Sequence, residues 1–260
     1  MPGESRSRNP SGIEIVFTEA DHKYASIING KEVVYTSGTT LVSEYFKKFD
    51  AEKFAPLTAK KLNMTTEAVK EMWKKKGEDA SRFGTRCHEF CEDILLGREP
   101  RNTPENVREE STFKFTKPFV EAVARKYKVV SPEMVVFDPR TRIAGTIDLF
   151  ARSRTQPDLY FIFDWKTNEK LDRDNKYGDT GLWPICHFPD SPYHHYTLQL
   201  NLYEYILKYG GYIPRNSIVK KALFWIGPRK PEAIVIEDAQ LEVRDILIDF
   251  LSKRDSNIGN

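Results

Sequence analysis

The sequence predicts an α+β fold in which one mixed sheet is flanked by helices, preceded by an N-terminal hairpin and a helical extension. Three observations carry this. In the middle of the chain, helical spacing gives way to three short runs rich in β-branched and aromatic residues, at 129–137, 142–151 and 159–165. Helical spacing returns at 196–209 and strand-like runs follow at 219–225 and 233–236, the order of an α+β layer fold. Finally, 260 residues with no internal repeat, low-complexity block or strong linker read as one compact domain, large enough to bury a core without disulfides.

Taken in order, residues 1–12 are polar, lack the apolar stretch of a secretory signal and read as a flexible tail. Residues 13–17 and 22–35 are apolar runs, the second split by Asn29-Gly30, a strong two-residue hairpin signal. From Thr40 the spacing turns helical through Leu41, Val42, Tyr45, Phe46 and Phe49. Residues 65–76 open on Thr-x-Glu and predict a second helix, with others at 84–96 and 112–128. The first two core strands are joined by Asp138-Pro139-Arg140-Thr141, a turn suited to an antiparallel meander. The polar stretch 167–193 is too long for an ordinary connection and reads as a lid or an ordered surface excursion. Residues 241–251 give a last amphipathic helix. The divisions are thus a tail at 1–12, the hairpin and helical extension at 13–83, and the core at 84–254.

Lys and Arg number 40 against 38 Asp and Glu, which excludes a globally basic nucleic-acid coat but not a local basic groove. Residues 60–86 hold eight basic and four acidic side chains. Lys74, Lys75, Lys76, Arg82 and Arg86 are the candidates for contact with a nucleic-acid backbone, a solvated helix face being the alternative. Trp73, Phe83 and Trp183 are candidates for base stacking, with core packing as the alternative. No apolar run approaches the roughly 20 residues of a membrane span. Three cysteines, Cys87, Cys91 and Cys186, make no disulfide framework and point to a reducing, intracellular compartment.

The chemistry-bearing residues are scattered but ordered. Asp164 and Lys166 stand two apart at the end of an apolar strand and so share a face; a surface ion pair is the bland alternative. Asp148 sits among apolar residues in the preceding strand, where Asp is depleted, and antiparallel pairing brings it towards Asp164. Two adjacent carboxylates repel unless a cation or a proton intervenes, and Mg²⁺ is commonly held by one or two carboxylates. Gly145, three residues earlier, allows a bulge or close backbone approach. His88 and Glu92 share a helix face, Glu133 lies in the first core strand, and Gln199 and Tyr203 stand one turn apart on a helix. A zinc site from Cys87, Cys91 and His88 lacks a completing pair.

The ordered set His88, Glu133, Gly145-x-x-Asp148, Asp164-x-Lys166 and Gln199-x-x-x-Tyr203 resembles the RecB-like branch of the PD-(D/E)XK nuclease superfamily. His22-Lys23-Tyr24 followed by Thr36-Ser37-Gly38-Thr39-Thr40 is similar to the opening of its phage-encoded and mitochondrial genome maintenance-type exonucleases. The resemblance spans about residues 20–250 and implies a PD-(D/E)XK core and a Mg²⁺- or Mn²⁺-dependent DNA exonuclease that needs free single-stranded ends. By similarity, His88, Asp148, Asp164 and the carbonyl of Trp165 bind the metal, and Lys166 activates water. Glu133 supports the site, and Gln199 and Tyr203 contact the site and the DNA backbone. Some relatives carry an iron–sulfur cluster on four cysteines; three are present here, so none is expected. A structure-specific endonuclease on the same site and a catalytically inactive nucleic-acid-binding module are the alternatives, and a phage or viral source acting in a host cell is suggested by the resemblance alone.

Overall fold

The computed structural model describes residues 3–18, 21 and 23–258, with side chains to 256. His22, part of the opening motif, lies outside the described residues. The chain opens with β1 (Glu4–Arg8), β2 (Glu14–Thr18), β3 (Lys23–Ile28) and β4 (Lys31–Ser37), each antiparallel to the next. The β3–β4 turn is Asn29-Gly30 with φ of 52° and 75°, the paired positive values that make Asn-Gly a hairpin signal. Residues 1–12 are therefore not simply a tail: β1 lies within them, its polar sequence held by pairing to β2 rather than by apolar burial.

Helices α1 (Gly38–Ser43), α2 (Ala51–Leu62), α3 (Thr66–Leu95) and α4 (Val107–Lys126) follow. Ser37, Asp50, Thr65 and Asn106 each cap one of them by accepting a backbone N–H, which satisfies a donor the helix itself leaves orphaned. The helices predicted at 65–76 and 84–96 are one 30-residue helix, α3. Its Gly77 costs only about 1 kcal/mol of propensity, too little to break a helix whose C-terminal half is packed on the sheet. Helix α2 escaped the pattern because Pro56 lies inside it. Because α3 runs through residue 84, the extension and the core share a continuous helix.

The core continues with β5 (Lys128–Asp138), β6 (Ile143–Arg152), β7 (Leu159–Lys166), α5 (Pro192–Tyr209), β8 (Ile218–Trp225), β9 (Glu232–Val235) and α6 (Gln240–Ile258). The sheet runs β1-β2-β3-β4-β6-β7-β8-β9, with β5 also paired to β6. It is mixed: β4 with β6 and β7 with β8 are parallel, the other pairs antiparallel. One face packs Ile147, Ile162 and Leu223 against Leu41 of α1, Leu198 and Leu202 of α5 and Val243 of α6. The other packs Leu149, Phe163, Trp165 and Phe224 against Phe83, Phe90, Phe113 and Val120 of α3 and α4. Each fully buried aliphatic or aromatic side chain contributes about 1.5–3 kcal/mol, so these two layers fix the strands that carry the site. The fold is thus α+β, a mixed central sheet flanked by helices. No described helix is long and apolar enough to cross a membrane.

Candidate active site

The site grows from a fork in the sheet. Strands β6 and β7 pair from Arg152↔Tyr160 down to Leu149↔Phe163 and then stop. The next register pair would be Asp148 with Asp164. Beyond it, β6 pairs on that edge with β4 at Ile143 and Ala144, so residues 145–148 face a gap. The side-chain alternation of β6 changes there too: Ile143 and Ile147 enter one core layer, Leu149 and Ala151 the other. Asp148 fills the fork, its Oδ2 accepting the Trp165 backbone N–H at 2.7 Å. Two apolar strands are thereby pried apart around two carboxylates.

Three elements converge on this fork. Glu133 of β5 has φ of 43°, a left-handed value unusual for Glu, and this local kink sits in the strand opposite Asp148. His88 comes from α3: its Nδ1 lies 3.5 Å from Asp148 Oδ2 and 3.9 Å from Glu133 Oε1, and its Nε2 is 3.0 Å from the Trp165 carbonyl oxygen. Ligand atoms of His88, Glu133 and Asp148 all lie within 4.8 Å of one another, a spacing that suits a single cation. Glu133 keeps 35% of its side chain exposed on the cleft side, yet protein crowds the side facing the cluster. That desolvation, reinforced by Asp148, Glu92 and Asp164, pushes its carboxyl well above the usual range. The group opens into a cleft of about 700 Å³ between α3 and the N-terminal strands, walled by Phe17, Tyr24, Thr85 and Glu92.

Asp164 is not part of this trio; it faces α5. It is 3% exposed, and burial pushes its carboxyl up to about 6 despite the opposing pull of Lys166. Lys166 Nζ lies 2.5 Å from Asp164 Oδ2, a charge-assisted contact in which the ammonium meets that buried oxygen. Burial lowers the Lys166 pKa, but Asp164 and Asp148 outweigh it and hold the ammonium charged. Gln199 Nε2 reaches Asp164 Oδ1 at 3.5 Å and donates to Tyr203 Oη at 3.2 Å. Tyr203 can stand there because of two glycines. A Cβ on Gly145 would lie 2.4 Å from the Tyr203 ring, and one on Gly38 would lie 2.9 Å from it. The close approach expected of Gly145 is to this side chain.

Some participants were not singled out in the sequence. Tyr196 lies under Lys166, with Nζ 4.4 Å from the ring centroid, and donates from its hydroxyl to Asn168 Oδ1 at 3.0 Å. Its spacing of three and seven residues before Gln199 and Tyr203 on α5 is the available signal. Tyr24, named already in the opening motif, joins β3 to β6 through a 2.9 Å hydrogen bond with Thr146.

The basic candidates separate. Lys74, Lys75 and Lys76 are exposed, with Lys74 near Glu78 at 3.9 Å and Lys76 near Glu169 at 3.4 Å. Arg82 is exposed and pairs with Glu105. Arg86 belongs elsewhere: its guanidinium is clamped by Glu109 at 2.9 and 3.0 Å, Asn102 and the Thr103 carbonyl. It locks α3 to α4, its charge already met by carboxylate. Phe83 is buried with Arg108 stacked 3.8 Å from its centroid, so it is a core ring, whereas Trp183 is exposed. The 167–191 excursion is ordered by its own turns, by Leu182 N–H donating to Tyr45 O at 2.8 Å and by buried Ile185. No protein-family model and no curated protein matches the chain, so the reading of the site rests on its residues and their geometry.

Proposed function

We propose that this chain is a Mg²⁺- or Mn²⁺-dependent DNA exonuclease with a PD-(D/E)XK core of the RecB-like type. The observation that carries the reading is the β6–β7 fork, where Asp148 and Asp164 are buried in adjacent positions with His88 and the Trp165 carbonyl on one side and Lys166 on the other. A site built for structure alone would not crowd Glu133 against three further carboxylates, Asp148, Glu92 and Asp164, or push the buried Asp164 carboxyl up to about 6. Oxygen donors with one imidazole fit Mg²⁺ and Mn²⁺. His88, Glu133 and Asp148 would hold the ion, with Asp164 and the Trp165 carbonyl beside it. Such an ion supplies charge neutralisation at the scissile phosphate and lowers the pKa of bound water. The chain has three cysteines, not the four that hold an iron–sulfur cluster in some relatives, so such a cluster has no part in this reading.

The chain's own residues do the rest. Lys166, fixed over Tyr196 and charged, orients the attacking water and meets the charge that develops on the phosphate oxygens. Gln199 holds Asp164 in place, and Tyr203 holds Gln199. Free single-stranded ends are the expected substrate. The test is cleavage of labelled linear single strands and closed single-stranded circles with Mn²⁺, Mg²⁺, Ca²⁺ or chelator. Linear DNA should be degraded with Mn²⁺ or Mg²⁺ only, circles should resist, and Asp148→Ala, Asp164→Ala and Lys166→Ala should each abolish turnover. Rapid cutting of circles would assign an endonuclease, and DNA binding without any turnover would assign a binding module.

A further inference from the structure

The surface formed by the turn after α1, by α2 and by the first turns of α3 differs from the rest of the molecule. Residues 47–76 contain nine lysines and four carboxylates, in a chain whose formal net charge is +2, so the remainder is net acidic. Among those lysines stand aromatic rings that are not buried. Phe49 is 67% exposed and Phe54 40% exposed, and their rings stack with centroids 5.4 Å apart and planes 11° apart. Trp73 of α3 meets Phe49 edge-on at 5.4 Å and rests on the small cluster of Ala55, Ala59 and Val69, which anchors the rings. Lys53 Nζ lies 5.5 Å from the Phe54 centroid.

Helix α3, which carries Trp73, also borders a groove beside the site. Met72, next to Trp73 in the chain, lines a groove of about 740 Å³ with four basic side chains, Lys75, Lys76, Arg108 and Lys170, and two acidic ones, Asp79 and Glu169. The groove ends on Thr167 and Asn168, the two residues after Lys166. Asn168 is fixed there by the Trp225 indole N–H, which donates to its carbonyl at 2.7 Å.

We propose that the Phe49–Phe54–Trp73 surface is a binding platform for unpaired DNA, which leads the strand along the Lys75–Lys76 groove to Lys166. The direction of travel rests on the nuclease reading; the platform chemistry does not. A phenyl face exposed among lysines suits a base that has left its stack, while the ammonium groups follow the backbone. A duplex keeps its base faces covered and offers only phosphates. A second copy of this chain is a poor occupant, because a symmetric contact would place two strongly basic patches face to face.

The experiment measures binding in chelator, so that turnover does not enter, by anisotropy of a labelled oligothymidylate and of a blunt duplex of equal length. The double variant F49A/F54A should bind the single strand roughly ten- to a hundred-fold more weakly and the duplex almost unchanged. F49L/F54L, which keeps the apolar volume and thereby the fold, should show the same selective loss, while F49Y/F54Y should restore binding. Unchanged single-strand affinity in both Ala and Leu variants, equal losses for strand and duplex, or a wild-type dimer that the Ala variant dissolves would each overturn the platform. The two readings fail separately. Selective loss of strand binding in a protein that never cleaves keeps the platform and sinks the nuclease; normal cleavage with affinity indifferent to Phe49 and Phe54 does the reverse.

Discussion

Strands β7 and β8 lie side by side, and each points a lysine towards α5, Lys166 half-buried beside Asp164 of its own strand and Lys221 buried against Glu204 of α5, but the two pairs are built on opposite principles. Lys221 of β8 contacts Glu204 and donates to Asn201 Oδ1 at 2.8 Å. Glu204 also accepts from Lys208 and Gln240, and Asn201 donates to the Thr197 and Glu237 carbonyls. Donors and acceptors there are matched, so the network ties α5, α6 and β8 together. Lys166 of β7 contacts Asp164 Oδ2 at 2.5 Å, but Asp164 Oδ1 has only a long contact from Gln199, and burial and Asp148 push that carboxyl up. A buried charge pair held in a full hydrogen-bond network is scaffold; one held by few partners and crowded by Asp148 and Glu133 is where chemistry is expected.

The sharpest way to break this comparison is a pair of isosteric changes. Glu204→Gln strands Lys221 as a buried cation and should cost about 3–5 kcal/mol in equilibrium urea unfolding. Asp164→Asn should cost less in the same titration while cleavage disappears, because it removes a carboxylate that burial disfavours and leaves the partly exposed Lys166 with Asp148 nearby. Equal costs for the two would erase the distinction.

Next in size is Gly145→Ala. The added methyl would overlap the Tyr203 ring, so Tyr203 must shift and take Gln199 with it. Overpacking of this kind costs about 1–3 kcal/mol. A loss of kcat larger than the loss of folded protein would show that the Tyr203–Gln199 pair positions Asp164; wild-type kcat at reduced stability would limit Tyr203 to packing.

The smallest effect concerns pH and the far end of α3. Arg86 holds the Glu109 carboxyl below its ordinary value of 4.5, with burial opposing. A depressed carboxylate contributes stability that is present above 4.5 and lost as pH falls through the lower, folded value. Glu109→Gln should therefore be less stable at neutral pH and should show a flatter decline in Tm on the acid side. An acid limb as steep as that of the wild type would place the sensitivity in another group, such as Asp93, whose carboxyl is likewise held low, by Arg101.

Local pattern alone placed the core strands, since β-branched and aromatic runs bounded by turns need no distant partner to be recognised. The predicted runs 129–137, 142–151 and 159–165 fall on β5, β6 and β7, and Asn29-Gly30 marked its hairpin because the turn's backbone demand is itself local. The identities of Asp148, Asp164, Lys166 and His88 were legible for a similar reason: polar residues interrupting apolar patterns stand out. Tertiary structure alone decided what those residues meet. The fork exists because β6 leaves β7 for β4, the positive φ of Glu133 arises where β5 crosses opposite Asp148, and Arg86 lost its apparent place on a basic face to carboxylates from another helix. Helix α2 and strand β1 were hidden because a proline and a polar sequence argue against them locally, while an Asp50 cap and the β2 ladder hold them in place. Propensity is a property of a few neighbouring residues, whereas register, burial and the fate of a charge depend on partners dozens of residues away.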